Sequence, residues 1–98
     1  MFKLIVSSSD VVQYDTDLDK DLKKLPSHII EKLKMWAKTV NNHGIAEARR
    51  CKGYHDEPLQ GQRKGQRSIR LSKSYRAIYI EDKKTINITV IEVTKHEY

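Results

Sequence analysis

The 98-residue chain is poor in the residues that constrain a backbone covalently or punctuate it: one cysteine, two prolines and four glycines. The lone Cys51 excludes an internal disulfide and fits a reducing compartment. With no second cysteine to complete a redox or metal pair, it is expected to be an inert, structural thiol. Long apolar runs are also missing. Phe2–Val6 gives way at once to Ser-Ser-Ser-Asp, too short for a signal core or a membrane span, so a cytoplasmic protein with no membrane partner is expected. No repeat, low-complexity tract or linker divides the sequence, and its length suits a single domain over residues 1–98. A hydrophobic share of 38% against 33% charged residues points to a modest core under a heavily solvated surface.

Acidic residues are absent where basic ones gather. Between Pro58 and Ile80 lie six basic side chains (Arg63, Lys64, Arg67, Arg70, Lys73 and Arg76) and no carboxylate. Residues 1–48 hold 7 basic and 7 acidic side chains, whereas residues 49–98 hold 12 and 6, which places the whole net charge of +6 in the second half. Every arginine lies there too. Arginine's planar fork binds phosphate through two parallel hydrogen bonds, which a lysine cannot do. The asymmetry therefore favours a nucleic-acid or acidic-protein partner over a small neutral substrate. A basic surface that serves only solubility is the plainer alternative.

Hydrophobic periodicity gives a coarse order of elements. Phe2–Val6 reads as a strand. Val11, Tyr14, Leu18, Leu22 and Leu25 recur at helical steps, capped by Ser9 or Asp10 and stopped by Pro26, which predicts a first helix. Ser27 is placed to cap a second, with Ile29, Ile30, Leu33, Trp36, Ala37 and Val40 as its stripe and Asn41, Asn42 and Gly44 as its stop. Residues 45–50 allow one more helical turn. The period then changes to two. Residues 66–72 put Ile69 and Leu71 on one side and Ser68 and Arg70 on the other, and residues 75–80 and 85–93 make two further strands. The pattern slips between Val90 and Ile91, which predicts a bulge or burial on both faces. The expected fold is α+β, in the order β-α-α-β-β-β, with two helices on one face of a small sheet.

Few clusters carry chemistry. The run Asp15–Asp21 has calcium-loop spacing at first sight, but Lys20 replaces the turn glycine and Pro26 the closing glutamate, so it reads as a solvated face. His28 and His43 have no ligand partners at useful spacing and read as surface or capping residues. His55, Asp56 and Glu57 form a polar cluster before Pro58, any of which could accept a proton if burial offsets the pull of nearby arginines. At the chain end, His96 can act as a general acid and Tyr98 as a stacking or proton-donating group, provided the last strand holds them beside the basic sheet.

Two segments taken together resemble a known family. The stretch Glu57-Pro-Leu-x-Gly through Ser68-Ile-Arg-Leu-Ser to Tyr75-Arg-Ala-Ile-Tyr, with the terminal Lys95-His-Glu-Tyr, resembles the RelE/ParE superfamily of toxins from toxin–antitoxin pairs. The resemblance implies a RelE-like fold with two N-terminal helices on a mostly antiparallel sheet. It also implies a ribosome-dependent messenger-RNA endonuclease that uses no metal or other cofactor, in which the 2′-hydroxyl attacks its own phosphate. Carried over by position, Glu57 is the base, Arg76 stabilises the pentavalent phosphate, and His96 and Tyr98 supply the acid and the stacking aromatic, although Glu97 separates them here. Arg67, Arg70 and Lys73 would neutralise RNA phosphates, and Arg63 and Lys64 would reach ribosomal RNA. The implied partners are messenger RNA, the ribosome and a small acidic antitoxin. Two other functions stay open at this point: a ParE-type inhibitor of DNA gyrase, and a non-catalytic RNA-binding module.

Overall fold

The computed structural model describes residues 3–4, 11–14, 18–82 and 87–95. The longest helix, α2 (Ser27–His43), follows a four-residue α1 (Asp19–Leu22) and precedes a short α3 (Ile45–Arg50). α2 turns its stripe Ile29, Leu33, Trp36, Ala37 and Val40 to the interior, as its spacing predicts. Pro26 rather than Ser27 occupies the N-cap position, and no side chain caps the helix. The helix runs on through Asn41 and Asn42, and Gly44 at φ 86° ends it, its N–H donating to the Val40 carbonyl. That backbone angle is cheap only for glycine. Asn41 is buried, and its Oδ1 accepts the Val12 N–H at 3.4 Å, tying helix to sheet.

Six strands form the sheet: β1 (Lys3–Leu4), β2 (Val11–Tyr14), β3 (Glu57–Pro58), β4 (Arg67–Arg70), β5 (Tyr75–Asp82) and β6 (Asn87–Lys95), in the spatial order β1-β2-β6-β5-β4-β3. All pairs are antiparallel except β2 with β6. The α+β class and the mostly antiparallel sheet are as expected. The extent of the first helix is not: residues 11–14, read above as its opening, are strand β2. Val12 and Tyr14 are both buried, two residues apart as on a strand. The Val-Val-x-Tyr run fits both periods, and parallel pairing with β6 decides for the strand. Only Leu18 and Leu22 of the expected helical face sit on the short helix and its entry, with Leu25 packed at the margin.

One face of the sheet carries Val12, Tyr14, Ile69, Ala77, Tyr79, Ile88 and Val90 into the core against α2. At its centre the rings of Trp36 and Tyr79 meet at 5.1 Å between centroids with a 48° tilt, an offset geometry that aromatic quadrupoles favour. The slip read between Val90 and Ile91 is a β-bulge. Ile78 pairs with Glu92 and Tyr79 with Val90, which leaves Ile91 without an opposite residue. The extra residue resets the alternation, so that Val93 rather than Glu92 follows Val90 on the packed face. Cys51, expected to be structural, is exposed and takes no part in the core. His28 and His43 are exposed, as read.

Burial of tyrosine hydroxyls makes the fold sensitive to alkali. Desolvation pushes Tyr14 up to about 12 from an ordinary 10.0, and desolvation together with the Asp56 carboxylate raises Tyr79 as well. A hydroxyl whose folded pKa exceeds its unfolded one contributes full stability below the unfolded value and loses it as pH rises through the folded one. Urea unfolding midpoints should hold steady up to about pH 9 and fall above pH 10. Tyr79→Phe should soften that fall; an unchanged alkaline profile in the variant would remove Tyr79 from this account.

Candidate nucleic-acid interface

Strand alternation sorts the central arginines onto two faces. In β4, Arg67 and Ile69 point to the helices, while Ser68 and Arg70 point to the open face. In β5, Ala77 and Tyr79 are in the core, and Arg76, Ile78 and Ile80 are on the open side. Cross-strand pairing then places Arg70 directly opposite Arg76, and Ser68 opposite both Glu57 and Ile78. The open face thus brings together Glu57 from β3, Ser68 and Arg70 from β4, and Arg76 from β5.

Arg76 is the best-held member. Its Nε donates to the Ser68 hydroxyl, and its Nη2 lies 3.3 Å from both the His55 carbonyl and Glu57 Oε1. Its side chain is only 17% exposed, whereas Glu57 is 62% exposed, so a fixed guanidinium stands beside a solvent-facing carboxylate. Arg70 Nε donates to the Ser72 carbonyl at 3.4 Å. Two guanidiniums directly opposite each other repel, and an anion placed between them removes the penalty. The turn that follows β4 is tied by Ser72 Oγ, which accepts the N–H groups of Ser74 and Tyr75. Lys73 is exposed at its tip.

Arg67 does not share this face. Its Nε donates to Asp56 Oδ1 at 2.6 Å, and Tyr79 OH donates to Asp56 Oδ2 at 2.6 Å. The Asp56 side chain has no solvent exposure. Arg49 approaches from α3, with Nε on the Tyr79 oxygen at 3.2 Å and Nη2 on Glu81 at 2.7 Å. Arg67, expected to neutralise phosphate, is thus engaged by Asp56, and its odd position in β4 puts it on the side of Ile69. Arg63, expected to reach RNA, is held over the open face by Glu92 at 2.6 Å and by Gln66 at 2.9 Å. Both partners of the Arg63–Glu92 pair are about 40% exposed, so the bridge is weak enough to exchange for another anion. Lys64 is exposed beside it, and Gly61 and Gly65, both at positive φ, bound the loop.

His55, exposed and left-handed at φ 45°, contributes its carbonyl rather than its ring to the Arg76 contact. His96 and Tyr98 lie outside the described residues, as do Asp15 and Asp17 of the acidic run. Sequence reasoning missed the Asp56–Arg67–Tyr79–Arg49 network. No local signal separated Asp56 from Glu57: Asp56 precedes β3, and only its bonds to Arg67 and Tyr79 turn it inward.

The fold is of the kind seen in solved RelE-type toxin structures. Among solved structures, the chain is similar to the Escherichia coli DinJ–YafQ toxin–antitoxin complex (TM-score 0.70, 22% identity, 91% of this chain and 94% of that one). It is also similar to the RelBE2 toxin–antitoxin complex of Mycobacterium tuberculosis (0.65, 22%, 87% and 95%) and to the YoeB–YefM complex of Staphylococcus aureus (0.67, 18%, 88% and 95%). No family model and no curated protein matches the sequence. At these identities the likeness is one of fold, and function has to be argued from the site.

The two faces should separate by mutation. Arg67→Ala leaves the buried Asp56 carboxylate short of a partner and should cost about 3 kcal/mol in urea unfolding. Arg70→Ala should change stability by less than about 0.5 kcal/mol. Equal costs would contradict the assignment of faces.

Proposed function

We propose that this protein is the toxin of a toxin–antitoxin pair and acts as an endoribonuclease on messenger RNA in the ribosome. The observation that carries the reading is the contact of Glu57 with Arg76, with Arg70 opposite, on a solvent-facing basic surface. In this reading Glu57 takes the proton from the 2′-hydroxyl, whose oxygen attacks the adjacent phosphorus. The bond to the 5′-oxygen breaks, giving a cyclic phosphate and a 5′-hydroxyl after proton donation by His96. Arg76 and Arg70 hold the extra negative charge of the pentavalent phosphate, and this charge stabilisation is the largest contribution the site can make. Tyr98 stacks on a base. Strand β6 ends at Lys95, which pairs with Tyr75 beside Arg76. The mechanism routes no step through a metal or other cofactor.

Charge on the open face also suits the partners. Lys64, Lys73 and Arg70 supply exposed or half-exposed cations for ribosomal and messenger RNA. A small acidic antitoxin would cover the same surface. A gyrase inhibitor on this fold would need neither a base nor an acid, and the pairing of Glu57 with Arg76 is what favours the nuclease.

Primer extension on a defined messenger in a purified translation system tests the reading. Wild type should cut within ribosome-occupied codons. Glu57→Gln should lower the rate about 10²- to 10⁴-fold, and Arg76→Ala should abolish cutting while the fold survives. Arg70→Ala should reduce the slope of log affinity for RNA against log salt by about one. Undiminished cutting by folded Arg76→Ala would sink the assignment. No cutting by wild type, together with inhibition of gyrase supercoiling, would support the ParE-type alternative.

A further inference from the structure

The buried Asp56 has no part in the proton transfers just described, yet it sits between two groups that touch the same guanidinium nitrogen. His55, on one side, presents its carbonyl to Arg76 Nη2; Glu57, on the other, presents its carboxylate to the same atom, each at 3.3 Å. The intervening Asp56 side chain points the opposite way, into the protein, with no solvent exposure. There its two oxygens are separately engaged, Oδ1 by Arg67 Nε and Oδ2 by the Tyr79 hydroxyl, both at 2.6 Å. Each anchor belongs to a central strand. Arg67 is on β4 and Tyr79 on β5, and the two are paired across the sheet. Tyr79 is further fixed by the Trp36 ring and by Arg49 Nε.

We propose that Asp56 is the positioning residue of the Glu57–Arg76 site, an internal anchor that fixes where the base stands relative to the phosphate-binding guanidinium. The proposal rests on the nuclease reading for its consequence in rate and on geometry alone for its consequence in structure. Strand β3 is only two residues long, paired at Glu57 and Pro58. So short an edge strand does not hold its own register firmly, and its approach through His55 takes the left-handed conformation at φ 45°, uncommon for a residue other than glycine. The double hydrogen bond at Asp56 supplies the hold that pairing lacks. A charged acceptor with two short bonds in a site closed to water is strong and directional. Asparagine in its place keeps the volume but offers a single acceptor oxygen, and its NH2 faces a hydroxyl that already accepts from Arg49.

The test compares Asp56→Asn, Tyr79→Phe and Glu81→Gln, each checked for folding by circular dichroism. Two readouts are taken: kcat and KM for ribosome-bound messenger, and the NMR resonance of Arg76 Nε–H in the free protein. Asp56→Asn should lower kcat about 10- to 100-fold, the scale of an ångström of misplacement, with KM within about twofold of wild type and the Arg76 resonance displaced. Tyr79→Phe should move both in the same direction by less. Glu81→Gln breaks another ion pair of the same network, with Arg49, and should leave kcat and the Arg76 resonance unchanged. A folded Asp56→Asn protein with wild-type kcat, or an equal loss in Glu81→Gln, would overturn the proposal. Should Asp56→Asn fail to fold, Tyr79→Phe carries the decision on the same readouts. Should wild type cut no RNA, the nuclease reading fails by itself, and an unmoved Arg76 resonance in the variants would then overturn the positioning as well.

Discussion

A carboxylate closed off from solvent is an expensive thing to keep charged, and Asp56 is tolerable only because Arg67 and Tyr79 occupy both of its oxygens. That requirement reaches outward in three directions. It fixes the core side of β4 at Arg67, it holds the tyrosine that packs on Trp36, and it presents the neighbouring His55 and Glu57 to Arg76. The hydrophobic core and the polar open face are thus joined through one side chain. Packing and chemistry are normally separable in a small sheet, since alternate residues face opposite ways. Here the backbone between residues 55 and 57 links them.

The open face is organised by a different balance. Its arginines are not neutralised equally: Arg76 leans on Glu57, Arg63 on Glu92, and Arg70 on a carbonyl. Side-chain exposure ranks how readily each could be given over to a nucleic acid. The Arg63–Glu92 bridge is exposed at both ends and costs little to exchange, whereas Arg76 is largely enclosed and already oriented. A surface of this kind combines one largely enclosed, oriented cation with several more exposed ones. In the proposed reading, the first serves the transition state and the others a long, flexible polyanion.

Much of this was legible before any coordinates. The second helix, the three C-terminal strands and the slip beside Ile91 follow from hydrophobic spacing, because helix and strand periods differ and the core admits only apolar side chains. That the slip is a bulge comes from the pairing with β5. The resemblance of the central segment to RelE/ParE toxins singled out Glu57 and Arg76 as separate site candidates; their contact comes from the fold. The opening helix was drawn too long, since Val11, Tyr14 and Leu18 satisfy a helical period while Val12 and Tyr14 equally satisfy a strand. A local pattern cannot weigh a partner strand some 75 residues away, and β6 is that partner.

The sequence alone determined the alternation that separates Ile69 from Arg70, the helical stripe of α2, and the concentration of arginine in the second half. Each is a property of neighbours along the chain, where period and composition suffice. Only the tertiary structure decided which arginines gather on the open face and which is engaged by Asp56 on the other side. Arg67 and Arg70 look interchangeable in the sequence; three residues apart on a strand, they stand on opposite sides of the sheet. Asp56 and Glu57 look interchangeable too, and one is sealed in the interior while the other is exposed. For the arginines the reason is that a strand sends residues an odd number of positions apart to opposite faces, and only packing against α2 says which face is inside. Asp56 precedes β3 and is turned inward by its bonds to Arg67 and Tyr79.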